Sequence, residues 1–453
     1  MTQRHPGVPM SKSVISILES GFKPSVSFGQ LVEASRNVAY KFPLASNRIE
    51  TVCKGSQTLM NEVEEHARST RPIAHERVVR LAGAFLDYKR DHGSQVEKGI
   101  YKGMKIAEFF DRLIRKRPLV FMMSTDLFLL STGESGGDGA ELFDRIGTDM
   151  QQFPFVLKCL MSYEEIEIAA LMGISTPTHF INDGSRENRG IPTSNHEAKG
   201  IYIALVGCRF ERKSRMEYKH MVVTPEQNTI SNGYGRDMSK EGLLYHWAKL
   251  YGVEYFPTFA EVEKCEHKLV PLANEPGFFN LSVFRARCRI TAETFLVEAS
   301  ERASQEGKPA YCVIVGLGLG VWLKHTCQRQ AFVDAFVEVL SVIKLNISVV
   351  DFSYIRVSYF DEGSIQSGPN NGLTVKFSQN SPAALLSPPN KYTLVCSYAW
   401  DGNAYPGNEY WTESLSASGD PAAACCSTIS ELQNPDINPY VDGANLHVVK
   451  TDA

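Results

Sequence analysis

The fold is decided by YCVIV (Tyr311–Val315) followed by GLGLG (Gly316–Gly320), where an apolar segment of strand length enters a glycine-rich turn. The residues beyond the turn have the spacing of a helix with one apolar side, formed by Phe332, Phe336, Val339 and Ile343. A second uninterrupted apolar segment, Ile201–Val206, predicts a strand that is buried on both faces. This alternation of strands and helices predicts an α/β layer fold from about residue 195 onward.

The pattern changes on the two sides of this region. Further strands are predicted at 347–355, 373–377 and 393–398. Residues 28–170 instead have a mostly helical pattern, and its clearest apolar face consists of Ile106, Phe109, Phe110, Leu113 and Ile114. We therefore predict a disordered tail at 1–15, a helical N-terminal region at 16–175 and an α/β domain at 176–450.

Composition restricts the classes of function. The 453 residues include 47 Lys and Arg against 51 Asp and Glu, a formal net charge of −4, which gives no overall attraction to nucleic acid or anionic membranes. Two basic stretches, 112–117 and 209–219, are interpreted as solvated faces. The sequence has no signal-peptide pattern and no stretch near the roughly 18 apolar residues of a membrane helix. Its 10 cysteines, none spaced CxxC, predict free thiols, no metal site and a cytoplasmic location, or the host cytosol for a secreted effector.

The glycine-rich turn is the first candidate ligand site. Backbone N–H groups of such a turn, with the N-terminus of a following helix, suit a phosphate or diphosphate. A tight turn that merely requires glycine is the alternative. The pattern is GxGxG with Val321 in the sixth place, and neither Asp351 nor Glu338 stands where a dinucleotide enzyme places its acidic residue. A nicotinamide-dependent oxidoreductase is therefore the weaker interpretation. The candidate contacts are Gly316, Leu317, Gly318, Leu319 and Gly320.

The segment WDGNAYPGNEYW (Trp400–Trp411), which follows the predicted strand at 393–398, is rich in acidic and aromatic residues. The candidate catalytic residues are Asp401, Glu409 and, further on, Asp420. Cleavage of a glycosidic bond through an oxocarbenium-like state uses one carboxylate to orient or activate water and a second group to serve the ribose or the leaving group. The alternatives are an Asx turn at Asp401, a solvated charge at Glu409 and a helix N-cap at Asp420.

Further ligand contacts are predicted around these acids. Glycine and asparagine tolerate positive φ and let the backbone approach a ligand. The loop residues in this group are Asn403, Gly407 and Asn408. Trp400 and Tyr405 could stack on a base or enclose a ribose, with core packing as the alternative. Gln227 and Asn228 follow the predicted strand at 220–223 and could contact a base, or form an ordinary turn.

Three segments carry a family resemblance: AWDGN (Ala399–Asn403), GNEYW (Gly407–Trp411) and SGDPAAA (Ser418–Ala424). They resemble the macrodomain-like arginine-specific ADP-ribosyl hydrolases typified by the bacterial effector MavL. The resemblance extends back through 178–184 and 226–229 and covers most of residues 170–440.

The resemblance implies a macrodomain-like three-layer fold, a mixed sheet flanked by helices, with an N-terminal helical region in front of it. It makes 176–450 an ADP-ribose-binding catalytic domain, with ADP-ribose across the C-terminal ends of the strands. The three acidic positions of the family fall on Asp401, Glu409 and Asp420. The second is Glu here where the family has Asp.

These observations predict a hydrolase that removes mono-ADP-ribose from arginine side chains, without metal or other cofactor. The implied partners are ADP-ribose and an ADP-ribosylated protein, for which the resemblance offers ubiquitin, while the oligomeric state stays open. The alternatives are a reader that binds ADP-ribose without cleaving it and an NAD-using transferase or oxidoreductase. A metal-dependent ADP-ribosyl hydrolase of helical fold disagrees with the strand segments 201–206 and 311–315.

Overall fold

The computed structural model describes residues 24–137, 139–262, 269–273, 275–355, 357, 363–365, 368–416 and 420–451. The tail predicted at 1–15 lies outside these ranges, as do residues 417–419. The side chain of Asp420 also lies outside the described part, although the backbone of that residue begins a helix.

Strands of the described chain form one large sheet and two small ones. The bounds are β1 Arg71–His75, β2 Val120–Met122, β3 Leu127–Leu129, β4 Ser135–Gly136, β5 Met172–His179, β6 Lys199–Leu205, β7 Val222–Val223, β8 Leu269–Pro271, β9 Phe278–Asn280, β10 Ala310–Ile314, β11 Ile347–Ser353, β12 Gly363–Ser364, β13 Thr374–Ser378, β14 Thr393–Ala399 and β15 His447–Val449. The large sheet has the order β12-β13-β11-β10-β14-β6-β5-β1-β15, and the small sheets are β2-β3-β4 and β7-β9-β8.

Helices pack against the large sheet and form much of the N-terminal region. Their bounds are α1 Phe28–Asn37, α2 Ile49–Val52, α3 Gln57–Ser69, α4 Glu76–His92, α5 Gln95–Tyr101, α6 Ile106–Arg115, α7 Ala140–Arg145, α8 Tyr163–Ala169, α9 Tyr218–Met221, α10 Leu243–Leu250, α11 Phe259–Val262, α12 Leu281–Gln305, α13 Cys327–Val342 and α14 Asp420–Cys425. Short 3₁₀ helices lie at Arg186–Asn188, Ile230–Asn232, Asn408–Thr412, Ser430–Gln433 and Gly443–Asn445. In the described ranges, none of these helices is long and apolar enough to cross a membrane.

The centre of the large sheet is parallel. Strands β13, β11, β10, β14 and β6 run in one direction, whereas β5 pairs antiparallel with β6 and β1 antiparallel with β5. The carboxyl ends of the five parallel strands therefore open on one edge, the usual position of a ligand crevice in an open α/β sheet. The structure is a mixed α/β fold, as the sequence predicts.

The N-terminal region contributes directly to this sheet. Strand β1 pairs with β5 on one side and with β15, near the C-terminus, on the other. One buried apolar cluster includes Ile73 of β1, Ile203 of β6 and Val448 of β15. The boundary predicted between residues 175 and 176 falls inside β5. The division of the chain into an N-terminal region and a catalytic domain stays a prediction.

Several predicted elements match the structure closely and others need correction. The helices over 106–115 and 243–250 and the strand over 201–205 are confirmed. The helix after the glycine turn begins only at Cys327, because residues 321–326 form turns. The two basic stretches are not simply solvated faces: Arg112, Arg117 and Arg209 are buried. Arg112 donates to both carboxylate oxygens of the buried Glu165, at 2.6 and 2.9 Å.

Candidate active site

A cavity of about 1200 Å³ lies at the carboxyl edge of the parallel strands. Segments that follow all five of these strands line it: Glu211 after β6, Val315–Gly316 after β10, Ser353–Ile355 from the end of β11, Ser381–Pro382 after β13 and Ala399 with Asp401 at the end of β14. Asn408 and Glu409 also line it. Two of the predicted catalytic acids thus share one cavity with the glycine turn.

The position of Asp401 is fixed by the neighbouring strand and by a sharp backbone turn. The N–H of Trp400 donates to the Leu205 carbonyl at 2.7 Å and extends the β14–β6 pairing up to the cavity. Gly402 then takes φ +66°, and a Cβ there would lie 2.8 Å from Val206 and 2.9 Å from Ala170. Only glycine fits this turn without strain, because both the backbone conformation and the close packing exclude a side chain.

Asn408 connects the Asp401 carboxylate to the N-terminal region. Its Nδ2 donates to Asp401 Oδ2 and, at 3.3 Å, to the Phe121 carbonyl. Its Oδ1 accepts the Phe121 N–H at 3.0 Å. The Asn408 side chain thereby exchanges two hydrogen bonds with the backbone of Phe121 in β2. Because Asn408 also bonds Asp401, it fixes the orientation of that carboxylate from outside the large sheet.

The electrostatic environment of Asp401 is that of a proton-exchanging group. Asp401 is 8% exposed. Burial and then the nearby Glu409 raise the pKa of its carboxyl, and against the lowering effects of the Asn408 hydrogen bond and of Arg209 the pKa is about 7. A carboxyl with a pKa near neutrality, in a cavity, suits general acid–base chemistry.

The glycine turn lines the cavity, mainly with its backbone. Gly316, Gly318, Leu319 and Gly320 line the cavity, whereas the side chain of Leu317 is buried. Gly318 takes φ +72°, and a Cβ at Gly207 would lie 2.2 Å from the Gly318 backbone nitrogen. The two loops therefore approach through glycine, which leaves room for a ligand against the backbone. Arg329, in the first turn of α13, also lines the cavity.

Comparison with known proteins agrees with this geometry. The family model described as ADP-ribosylhydrolase MavL-like matches residues 29–453. The chain belongs to the MavL-like ADP-ribosylhydrolase family. It is similar to two Drosophila melanogaster proteins: ADP-ribosylarginine hydrolase CG3568, 36% identical over 416 residues, 86% of this chain and 80% of that protein, and ADP-ribosylarginine hydrolase CG2909, 32% identical over 447 residues, 94% of this chain and 87% of that protein.

In this MavL-like chain, Trp400 and Tyr405 of the Asp401 loop are buried in the protein interior. Trp400 is 3% exposed, and the Arg117 guanidinium lies 4.2 Å from its ring centroid. Tyr405 is buried and donates its hydroxyl to Asp436 at 3.2 Å. Asn403 is fully buried and Gly407 begins the 3₁₀ turn at φ +117°. For Trp400 and Tyr405 this packing is the core-packing alternative. Both polar side-chain atoms of Asn403 are buried without a hydrogen-bond partner in the described structure. A ligand contact at any of these four residues stays a prediction.

The predicted base contacts Gln227 and Asn228 lie elsewhere. Gln227 lines a second cavity of about 490 Å³, on the side of α9 and β7. Its Nε2 donates to the Val222 carbonyl at 2.7 Å. Asn228 accepts the Thr224 N–H at 3.1 Å and donates to the Pro257 carbonyl at 3.0 Å. These bonds close a turn, and the Asn228 amide is occupied by the protein itself. Oε1 of Gln227 is buried without a hydrogen-bond partner in the described structure, so a ligand contact at Gln227 stays a prediction.

Sequence reasoning missed several cavity residues, among them Glu211, Trp322, Arg329 and Tyr354. Tyr354 directly follows the end of β11 and Trp322 follows the glycine turn, whereas Glu211 lies in the segment after β6 and Arg329 in the first turn of α13. The predicted strand ends were the signal that could have found them, since ligands of open α/β sheets gather at the carboxyl edge. Glu211 stood in a stretch that its basic neighbours made look like a solvated face.

One acidic cluster of the described residues has the spacing of a metal site. Carboxylate oxygens of Glu298 and Glu301 and a ring nitrogen of His447 lie within 4.8 Å of one another. Arg71 Nη2, however, donates to both carboxylates, at 2.7 and 2.9 Å. The carboxylates of the cluster are therefore already paired with a guanidinium. The cluster lies at the β1–β15 side of the sheet, separated from β14 by β6 and β5.

Proposed function

We propose that this protein hydrolyses the N-glycosidic bond that joins ADP-ribose to arginine side chains of proteins. The observation that carries the proposal is the meeting of Asp401 and Glu409 with the glycine turn in one cavity of about 1200 Å³. The MavL-like family membership and the names of both Drosophila relatives support the same activity.

In this proposal the fold is macrodomain-like and ADP-ribose lies across the carboxyl edge of the parallel strands. The diphosphate contacts the backbone N–H groups of Gly316–Gly320, with the Arg329 guanidinium as a further charge partner. The ribose attached to arginine then reaches Asp401 and Glu409 at the β14 end of the cavity.

Asp401 is the general base of the proposed reaction. With a pKa of about 7, its carboxylate form is available near neutral pH to take a proton from water that attacks the anomeric carbon. Asn408 orients this carboxylate through its amide. Glu409 stabilises the positive charge that develops on the ribose. A role for Asp420 stays a prediction, because its side chain lies outside the described residues.

The proposed reaction needs water and no further cofactor. Its substrate is an ADP-ribosylated protein, and ubiquitin is one candidate carried over from the family resemblance. The N-terminal region is a candidate surface for the protein part of the substrate, since β2 reaches the cavity through Met122 and Met123 follows it there.

The test incubates the purified full chain, with and without EDTA, with arginine-ADP-ribosylated protein and with serine- and glutamate-linked controls, followed by mass spectrometry. The expected result is release from arginine alone, unchanged by EDTA. Binding of free ADP-ribose without release from any linkage would replace the proposal by a reader function. Loss of activity in EDTA would overturn its metal-free mechanism.

A further inference from the structure

Glu211 occupies the same end of the cavity as Asp401 on a neighbouring strand end. Strands β6 and β14 are paired through Leu205 and Ala399, so the residues that follow them emerge side by side. Glu211 and Asp401 both line the cavity, and the charge of Glu211 raises the pKa of Asp401. The two carboxylates are therefore close neighbours, although they are far apart in sequence.

The segment that carries Glu211 is held firmly. The backbone N–H of Arg209 donates to the buried Glu217 carboxylate at 3.0 Å. The other oxygen of Glu217 accepts from Arg287 Nε at 3.2 Å. Arg287 is itself 2% exposed, and its Nη2 donates to the Val206 carbonyl at 3.1 Å. Such a network of buried partners fixes the side chains that it supports.

Only one oxygen of Glu211 is used by this support. Oε2 accepts a hydrogen bond from Arg209 Nε at 2.7 Å, while in the described structure Oε1 accepts none. The Glu211 side chain is 20% exposed, against 3% for Arg209. The carboxylate is therefore anchored on its protein side and free to accept hydrogen bonds on its cavity side.

Acidic groups outnumber basic groups beside Asp401 in the described part of the chain. Asp401 and Glu211 place two carboxyl groups next to one buried cation, Arg209. Two further described cations line the cavity from other segments, Arg329 on α13 and Arg186 at the start of the 3₁₀ helix Arg186–Asn188. A cationic group of the ligand would therefore be favoured where these acids meet.

We propose that Glu211 binds the guanidinium of the substrate arginine and makes the site selective for that linkage. This inference rests on the proposed function. A planar guanidinium offers parallel N–H donors that match a carboxylate, and such charge-assisted hydrogen bonds are the strong ones. A serine or glutamate linkage has no cation at this position, so Glu211 keeps only its bond to Arg209.

The same contact assists departure of the arginine. The bond between the anomeric carbon and the guanidine nitrogen breaks, and a bond from water oxygen to that carbon forms. One proton of the water passes through Asp401 to the guanidine nitrogen, and the other remains on the new ribose hydroxyl. The leaving group is thus a complete guanidinium, whose charge Glu211 continues to balance.

The test is Glu211→Gln in the full chain, with Glu226→Gln as matched control, because Glu226 is exposed and lines the second cavity instead. For the arginine-linked substrate, kcat/KM should fall about 10- to 100-fold, which corresponds to loss of a charge-assisted hydrogen bond. Glu211→Asp should recover part of it. The Kd for free ADP-ribose, which has no guanidine, should change less than about 2-fold. Arginine methyl ester should inhibit the wild type and not Glu211→Gln.

The other outcomes are distinguishable. Unchanged kcat/KM in Glu211→Gln, or unchanged inhibition by the ester, overturns the role of Glu211 and leaves the hydrolase activity intact. An equal loss of ADP-ribose affinity makes Glu211 a support of the loop instead of a guanidinium ligand, and so also overturns the inference. If the wild type releases nothing, the proposed function fails. Calorimetry of the ester with ADP-ribose-bound protein then decides on Glu211, since binding that depends on Glu211 supports it and binding that does not rejects it.

Discussion

Two buried carboxyl groups, Asp401 at the cavity and Glu298 in α12, show how differently the same burial can act. Burial and, second, the nearby Glu409 raise the pKa of Asp401 to about 7. Burial alone would also raise the pKa of Glu298, but Arg302 and Arg71 outweigh it and lower that pKa to about 2. A buried acid surrounded by guanidinium groups is structural, whereas one left with a raised pKa beside a cavity is available for chemistry.

The difference arises from the partners that the fold supplies. Glu298 receives hydrogen bonds from Arg71 at 3.0 and 2.7 Å and from Arg302 at 2.8 Å, and it is fully buried. Asp401 receives a hydrogen bond from the neutral amide of Asn408, and Arg209 acts on it only as a nearby charge. The loop therefore stabilises the orientation of Asp401 more than its charge.

The largest expected effect is on catalysis. Asp401→Ala should lower kcat on arginine-ADP-ribosylated protein by about 10³-fold, because the general base is lost. Its melting temperature should fall only slightly, since the bond lost is the hydrogen bond from the neutral amide of Asn408 and not an ion pair. Mass spectrometry of product and a thermal scan measure the two quantities. A folded Asp401→Ala protein with wild-type turnover would remove the catalytic assignment and with it the contrast to Glu298.

The opposite result is expected for Glu298. Glu298→Gln leaves Arg71 and Arg302 without their shared carboxylate and should lower the free energy of unfolding by about 3 kcal/mol. The Kd for ADP-ribose should stay unchanged in the folded variant. Urea unfolding measures the first and calorimetry the second. Glu301→Gln is the control, because its side chain is 39% exposed and an exposed pair contributes less than about 1 kcal/mol. Equal losses in the two variants would contradict the structural role of Glu298.

This contrast also explains what the sequence could and could not predict. Asp401, Glu409 and the glycine turn were found because each follows a recognisable apolar strand, and strand ends determine where ligands bind. Glu211 was missed because the segment that carries it is held, through Glu217, by Arg287, which is distant in sequence. Strands β1 and β15 were missed because both are short and pair with strands that are distant in sequence, β1 with β5 and with β15, a contact that local periodicity does not carry.

The predictions that depended on the composition of the Asp401 loop identified the loop and not the role of each residue. Asparagine, glycine and tryptophan around Asp401 indicated a special loop correctly, but their individual roles could not be separated without coordinates. Asn408 faces the cavity and bonds Asp401, while Asn403, in the same loop, is fully buried. A loop without helical or strand periodicity gives no rule for which side chains point inward.

A smaller effect concerns the pH dependence of stability. The folded-state pKa of Asp401, about 7, lies above the value of about 3.9 for an unfolded aspartate, so the folded protein binds more protons between these values. The free energy of unfolding therefore falls as the pH rises through this window. Asp401→Asn should remove that loss and raise the free energy of unfolding by about 2 kcal/mol at about pH 5.5, with little change at about pH 4. Urea unfolding of both proteins at the two pH values measures it; an equal change at both would show that the carboxyl charge is not the cause.

The smallest expected effect tests whether polar residues with only protein partners behave like Glu298. Asn228→Ala removes the bonds to the Thr224 N–H and the Pro257 carbonyl and should lower the free energy of unfolding by about 1 kcal/mol. Its Kd for ADP-ribose should equal that of the wild type, because Asn228 closes a turn beside the second cavity. Urea unfolding and calorimetry distinguish the two roles. A weakened ADP-ribose complex with unchanged stability would instead return Asn228 to the ligand contacts predicted from sequence. It would also mean that occupied hydrogen bonds are not enough to separate structural from functional polar groups in this fold.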